Sequence, residues 1–482
     1  MPDFSLPTEL LSRVAHLPVD VDRPGTVDVV NPATEKTLTT MTVAGPDTVD
    51  AAVTSARQAS AGWAGTGPAG RRVALRTLAA RLRDHAEELA TTITLEHGRP
   101  FTDARAEAHG AADLVETYAE LAVAHRTGVQ GSASGELVFH RSEPWGVVAC
   151  VTPWNYPLMA VLNLVAPALA AGNTVVLKPS EKTPASAALL VEWCTDHLPP
   201  GVLNLVLGTG ETTGSALVRH PDIDLVALTG GVATGRRVSE LAGERLRKTI
   251  LELGGKDAMV VDDTVDVRVA ARMAAQAAFD NSGQICTSIE RIYVHEAIKD
   301  EFVAQLAEEA AAWRVGDGFE AGVRMGPVVD QAQLDTIVDH VDSAVAQGAV
   351  VVCGGRRLNR TGYFFPPTVL SDVPPSVPVL TEETFGPVAP VVCVRNFEDA
   401  ITRANESEYG LGAMVLTKDP EHAMLAVERL RVGSVKINAM RGRVPGTSAE
   451  PAGVSGIGAG YGPDALQEFA RQKSVQWRAV PQ

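Results

Sequence analysis

The sequence predicts an α/β fold built on doubly wound, mostly parallel sheets, and two observations carry that reading. First, the runs "GVVACV", "NTVVLK", "VLNLVL", "LVALTG" and "TILEL" are short, apolar and rich in β-branched residues, and helical segments such as 183–197 and 212–220 separate them. Second, the same alternation begins again after Gly254, with "DAMVVDD", a helix over 265–279, "RIYVH", a helix over 297–313, and the strands "AVVVCGG" and "APVVCV". A domain boundary is therefore placed near Gly254-Gly255.

The remaining elements follow in chain order. From Asp47 to about Arg126 apolar residues recur at three and four, as in "DTVDAAVTSARQASAGW" and "RRVALRTLAARLRDHAEELATTITLEHG", with Gly98 and Pro100 as a stop. The polar, glycine-containing stretch "RTGVQGSASGELVFHRSEPWG" reads as an extended hairpin standing off the body, and "RQKSVQWRAV" near the C-terminus adds a further strand. Strand edges exposed in this way pair with something, which makes a homo-oligomer, dimer or tetramer, the expected state. Tandem repeats and low-complexity segments are absent from the sequence.

At 482 residues, 45% hydrophobic and 21% charged, the chain is long enough for several globular domains. Its net charge of -16 disfavours nucleic acid or an anionic membrane as the main partner and favours a small molecule. "MPDFSLPTEL" lacks a basic stretch followed by an apolar core, and the apolar run 158–172 is interrupted by Asn163 and Pro167, so a cytoplasmic enzyme is expected. Five scattered cysteines suggest no disulfide framework, and their spacings match no zinc site.

Cys150, Cys353 and Cys393 lie in apolar strand runs and Cys194 in a helix, which reads them as small core residues. Cys286 differs: in "FDNSGQICTSIERI" it follows a helix among small and polar residues that leave room for a substrate, although an ordinary loop has the same composition. A nucleophilic thiol works as the thiolate and needs activation. Glu252, inside the apolar strand of "LELGGK", is either a base facing a cleft at the carboxyl end of the sheet or a carboxylate paired with Arg247 or Lys248. "GTGETTG" and "LTGGVATG" join strands to helices where backbone N–H groups could meet a phosphate, or serve only as tight turns.

Taken together, "TPWNYP", "LKPSEKTP", "LTGG…G", "LELGGKD", "NSGQICTS" and "EETFGPV" resemble the aldehyde dehydrogenase superfamily, in order and over nearly the whole chain. The resemblance implies that residues 1–125 and 145–253 form an NAD-binding Rossmann-type domain. It likewise implies that 254–447 form the catalytic domain with the nucleophilic cysteine, and that 126–144 and 463–482 supply oligomerisation strands. It implies that Cys286 attacks an aldehyde to give a thiohemiacetal, that the Asn155 amide and the Cys286 backbone N–H hold the oxyanion, and that Glu252 activates the water that hydrolyses the thioester. It places Thr152, Trp154, Lys178, Ser180, Glu181, Gly210, Gly230, Leu253, Glu383 and Phe385 at the cofactor, and no metal. Lys178 and Glu181 would hold the adenosine ribose and Glu383 the nicotinamide ribose. Because a carboxylate accepts from a ribose 2'-hydroxyl and repels a 2'-phosphate, Glu181 predicts NAD over NADP.

The chain departs from the family pattern in places that bear on substrate. Gly231-Val232 stand where the family often has Ser-Thr, and the family's C-terminal signature survives only as "SGIG", with Ser448, Glu450, Pro451 and Gly453 at its usual proline, paired glycines and lysine. Succinate-semialdehyde dehydrogenases grip their substrate with two arginines at the positions of Asn163 and Asp280, so both anchors are missing here. Short dicarboxylic semialdehydes are then poor substrates unless Arg291, Arg441 or Arg443 reaches the tunnel, and Asp280 permits a hydroxylated, neutral or cationic aldehyde; a solvated helix-end carboxylate is its alternative reading. The rival functions are an NADP-dependent succinate-semialdehyde-type enzyme, a CoA-acylating enzyme, which generally lacks the glutamate that Glu252 matches, and a non-catalytic member of the fold.

Overall fold

The computed structural model describes residues 25–124, 129–131, 136–194, 196–440 and 446–478. The N-terminal segment "MPDFSLPTEL", parts of the expected hairpin, Arg441, Arg443 and the last residues of the expected C-terminal strand lie outside the described residues.

The first sheet has six strands in the order Gly456–Ile457, Lys248–Glu252, Leu225–Thr229, Val147–Val151, Thr174–Lys178, Leu203–Leu205, all parallel except the short C-terminal strand, which returns antiparallel to Lys248–Glu252. Alternation along Val147–Val151 feeds two cores. Val148 and Cys150 join the helices of one face, and Val147, Ala149 and Val151 those of the other. With both faces covered, the strand is buried throughout, which is why these runs read as continuously apolar. The register pairs Val151 with Lys178 and Leu228, and Thr229 with Glu252, so Thr152, Lys178, Gly230 and Glu252 converge at one carboxyl edge. Open α/β sheets bind ligands at such an edge.

The second sheet has seven strands in the order Val350–Cys353, Thr368–Ser371, Val388–Val394, Ile289–His295, Asp257–Val261, Gly412–Leu416, Ser434–Ile437, with an antiparallel pair only at its first edge. Asp257 pairs with Ile289. The chain leaving Glu252 through Gly254-Gly255 therefore arrives beside the chain leaving Cys286, and a Cβ on Gly255 would lie 2.4 Å from the Cys286 carbonyl oxygen. Adjacency of the two motifs is thus a consequence of strand register.

The N-terminal helices Pro46–Gly65, Gly67–Asp84, Ala86–His97 and Phe101–Ala124 pack about the first sheet, and Gly98 ends the third in the left-handed conformation (φ 85°). Leu137–Pro144 pairs with Val129–Gly131 and with Ala470–Trp477 in a separate three-stranded sheet. "GTGETTG" opens on a five-residue π-turn, Gly210–Gly214, before the short helix Ser215–Arg219, in place of a continuous helix from Thr212. Two cysteine readings are corrected. Val350–Cys353 is an edge strand with exposed valines, leaving Cys353 half-buried, and Cys393 is exposed near the end of the inner strand Val388–Val394, beyond the residues Val388–Pro390 that pair with Thr368–Ser371. Cys150 and Cys194 are buried, and burial pushes both thiols up, Cys194 to about 12.

Candidate active site

The helix Val267–Phe279 stops at Asp280, and the chain turns through three consecutive left-handed residues, Asn281 (φ 52°), Ser282 (φ 58°) and Gly283 (φ 72°). Two of them carry side chains, at a cost on the order of 1 kcal/mol or more each, so the surroundings must hold them. Asn281 Nδ2 donates to the carbonyls of Asn155 (3.0 Å) and Gln284 (3.2 Å), and Ser282 Oγ donates to Gly326 O (2.9 Å). Gln284 Nε2 donates to Asn281 O (3.1 Å), while its Oε1 accepts from Val329 N (2.9 Å). At Gly283 a Cβ would fall 2.0 Å from Gly386 O, so the turn has room only for glycine. Cys286 follows, half-buried and outside any disulfide, before the strand Ile289–His295.

Asn155 is buried on the loop after Val147–Val151, and its Nδ2 donates to Gln284 O at 3.0 Å, two residues before Cys286. Glu252 is half-buried at the end of its strand, with its side chain packed over Gly460, where a Cβ would meet Glu252 Cγ at 2.2 Å. The expected alternative pairings are occupied otherwise: Lys248 reaches Glu468 and Arg247 donates to the carbonyls of Val218 and His220. Asn155 is thus held against the Cys286 loop, and Glu252 ends its strand three residues before Gly255, which packs on the Cys286 carbonyl where the two sheets meet.

The expected cofactor residues line the adjoining carboxyl edge. Thr152 N donates to Lys178 O (3.1 Å), and the Thr152 hydroxyl is buried with no protein partner. Lys178, also buried, donates from Nζ to Pro179 O (2.9 Å) and lies 3.6 Å from Glu181. Ser180 Oγ accepts from Lys182 N (3.3 Å). Gly230 N donates to Glu252 O (3.0 Å), and Leu253 N to Ser455 O (2.8 Å). Gly210 is exposed, and a Cβ there would meet nothing. Trp154 packs edge-on against Phe385, ring centroids 5.4 Å apart. Glu383 Oε1 accepts from Gly255 N (3.0 Å), and burial, with Glu290 nearby, pushes its carboxyl up to about 8. A buried carboxyl and an unpartnered buried hydroxyl beside a Lys–Glu pair fit a dinucleotide, whose ribose and phosphate groups would supply the missing partners.

Of the expected substrate residues, Asn163 is half-buried on the helix Met159–Ala171 and Asp280 is half-buried at the turn before Cys286. Desolvation raises the Asp103 carboxyl, and Asp280 adds to the rise, so two carboxylates share this corner. Arg291 is engaged elsewhere: it is buried and donates to Lys256 O (2.7 Å) and Ala404 O (3.1 Å). Gly453 has φ 59°, and a Cβ would lie 2.2 Å from Glu408 O, so no side chain could occupy the place of the expected lysine.

Sequence reading missed the buried charges behind these loops. Arg99, between the helix-stopping Gly98 and Pro100, pairs with Glu107; Lys256 pairs with Glu290 at 2.6 Å, and Glu290 accepts from Thr384 N (2.7 Å) and Phe385 N (2.8 Å), fixing the Glu383–Phe385 loop. The available signal was a charge inside a strongly apolar or turn-forming motif, as in "LGGK" and "SIERIYV".

A model of the aldehyde dehydrogenase family matches residues 19–475. A 3,6-anhydro-alpha-L-galactose dehydrogenase from Streptomyces coelicolor is 37% identical over 464 residues, 94% of this chain and 93% of that protein. Lactaldehyde dehydrogenase from Escherichia coli is 36% identical over 457 residues, 93% of this chain and 94% of that protein. Among solved structures, betaine aldehyde dehydrogenase from Staphylococcus aureus in complex with NAD+ superposes with a TM-score of 0.94 at 31% identity, covering 98% of this chain and 97% of that one.

Proposed function

The chain belongs to the aldehyde dehydrogenase family and is an NAD(P)-dependent aldehyde dehydrogenase, and from that premise we propose how its own residues divide the oxidation of an aldehyde to its acid. Cys286 Sγ attacks the aldehyde carbon, forming a C–S bond and moving the carbonyl electron pair onto oxygen. The Asn155 side-chain amide and the Cys286 backbone N–H hold that oxyanion. Bound dinucleotide supplies the hydride acceptor. Departure of hydride from the former aldehyde carbon leaves a thioester on Cys286. Glu252 then takes a proton from water, the oxygen adds to the thioester carbon, the C–S bond breaks, and the acid leaves as the thiolate is restored. The observation that carries this assignment is the Asn155 amide at 3.0 Å from Gln284 O, which holds an oxyanion donor against the nucleophile loop.

The dinucleotide is NAD in preference to NADP. Glu181, paired with Lys178, suits a ribose 2'-hydroxyl and repels a 2'-phosphate. Residues 1–125 with 145–253 serve as the dinucleotide domain, 254–447 as the catalytic domain, and 126–144 with 463–482 as oligomerisation strands. Exposed Leu137 and Trp477 on the three-stranded sheet support a homodimer or homotetramer. Five cysteines, none in a disulfide, suit the reducing cytoplasm.

The substrate is a hydroxylated neutral or a cationic aldehyde. Asp280 ends a helix where the macrodipole disfavours a carboxylate, so helix stability gives no reason for it, and Arg291 is committed elsewhere. Relatives named for lactaldehyde, 3,6-anhydro-alpha-L-galactose and betaine aldehyde favour the same class. The test is NADH production over hydroxylated, cationic and dicarboxylic semialdehydes, with NAD and NADP, and product identification. Free acid and a higher kcat/KM for hydroxylated or cationic aldehydes with NAD are expected. Preference for succinate semialdehyde, preference for NADP, or acyl-CoA as product would each overturn its part, and an Asp280→Ala variant with unchanged KM across all classes would remove the contact.

A further inference from the structure

The guanidinium of Arg99 touches both sides of the oxyanion site from behind. Its Nη2 donates to Asn155 O (2.8 Å), its Nε donates to Asn281 Oδ1 (3.0 Å), and its Nη1 pairs with Glu107. Its Cζ lies over the ring of Tyr156, the residue after Asn155, 3.9 Å from the ring centroid. Glu107 completes the bracket: its Oε1 accepts from Leu158 N (3.1 Å) and Met159 N (2.9 Å), the start of the helix that follows Asn155. Both side chains of the pair are almost wholly buried, at 3% and 1% exposure.

A buried ion pair is weak evidence for stability, because desolvation consumes much of its attraction. What this one does have is direction. Arginine presents a rigid planar fork, and here one fork holds the backbone that carries the Asn155 amide and the first residue of the strained turn that leads to the Cys286 N–H. Asn281 closes the link by donating back to the same Asn155 carbonyl at 3.0 Å. An oxyanion donor is effective only if it is fixed where charge develops, and here two donors on different loops must keep one spacing.

We propose that Arg99, anchored by Glu107, is a positioning residue that sets the spacing of the Asn155 amide and the Cys286 backbone N–H. The proposal rests on the assignment of those two groups as the oxyanion site. In this arrangement Arg99 touches neither substrate nor cofactor and acts on the chemical step alone.

Arg99→Lys keeps a cation beside Glu107 but cannot bridge the Asn155 carbonyl and Asn281 together. The full-length enzyme carrying it should lose roughly 10- to 100-fold in kcat, bounded by the roughly 100- to 1,000-fold expected for Asn155→Ala. NAD affinity and the rate of iodoacetamide labelling of Cys286 should remain within about 2-fold, because neither reads an oxyanion. Asn281→Gly, which tolerates the left-handed backbone and leaves the Arg99–Glu107 pair intact, should reproduce the kcat loss if Arg99→Lys fails to fold. In the Asn155→Ala background the lysine variant should cost little more, since both act through one group. Arg99→Lys within 2-fold of wild type in kcat, or a loss fully additive with Asn155→Ala, overturns the proposal. So does parallel loss of kcat, NAD affinity and labelling, which would mark a purely structural role. If Asn155→Ala itself keeps full activity, the underlying oxyanion assignment fails instead.

Discussion

Two sets of glycine-rich turns sit at the strand ends of this molecule, and they are built in opposite ways. The nucleophile turn, Asp280–Gly283, is packed without slack: its side chains are tied to Asn155, Gln284 and Gly326, and a Cβ at Gly283 would strike Gly386 O. The turns at Gly210 and Gly231 are open, and a Cβ at either would meet nothing within 4 Å. The contrast separates two demands. Covalent chemistry needs a carbon, a sulfur and two N–H donors held to fractions of an ångström, whereas a dinucleotide brings its own phosphates and hydroxyls and needs space with backbone donors facing it.

The most direct way to break this comparison is at the tight turn's product, the thiol. Cys286→Ser should lower dehydrogenase kcat by roughly 10³-fold or more, as removal of a nucleophile does, with NAD affinity preserved. Turnover above a tenth of wild type would mean that the buried architecture serves something other than this thiol. Gly283→Ala comes next. It meets both a positive φ and a backbone oxygen 2.0 Å away, so it should destabilise the enzyme by about 1–3 kcal/mol and depress kcat as the turn shifts. A thermal melt and a kcat assay check both, and an unchanged variant would show that the turn has slack.

The two regions also differ in how much of them the sequence made legible. Alternating apolar runs announced both sheets because strands covered on two faces must be apolar throughout; Cys286 stood out among small and polar residues, Glu252 as a carboxylate inside an apolar strand, and Asn155 only through the family resemblance. Burial was misread at Cys353, on an edge strand, and at Cys393, near the end of an inner strand, because an apolar run does not reveal how far along its length each side is covered. Arg99, Glu107 and Glu290 stayed hidden because, beyond the Arg99–Glu107 pair itself, their partners are far along the chain, and a lone charge in a helical or turn pattern looks solvated until tertiary contacts are known.

A smaller effect should appear in the cofactor loop's titration. Burial raises the Glu383 carboxyl to about 8 from an ordinary 4.5, so between those values the folded protein holds a proton that the unfolded chain has released. Stability from this group therefore falls as pH rises through that window and levels off above it. Glu383→Gln should lack the fall, and its melting temperature should gain on wild type between pH 6 and 9. Ribose hydroxyls donate to the carboxylate form, so NAD affinity of the wild type should tighten over the same range while that of the variant stays flat. A parallel pH dependence in both proteins would remove Glu383 from the ribose.

The smallest expected change tests the open side of the comparison. Gly231 is the residue before the helix Val232–Gly243, with extended backbone (φ -74°, ψ 155°) and no side-chain cap. Those angles suit serine as well as glycine, serine is favoured at such a position over glycine by only a few tenths of a kcal/mol, and its side chain would enter empty space. Gly231→Ser should therefore leave kcat unchanged, raise the melting temperature by a degree or so, and leave NAD affinity equal or tighter by up to about 3-fold, since a hydroxyl added at a helix N-terminus gives a phosphate one more donor. A Kd for NAD weakened beyond that range would mean that this glycine, unlike its neighbour Gly230 with its bond to Glu252 O, was already in close contact with the dinucleotide, and the open turn would have to be counted with the tight one.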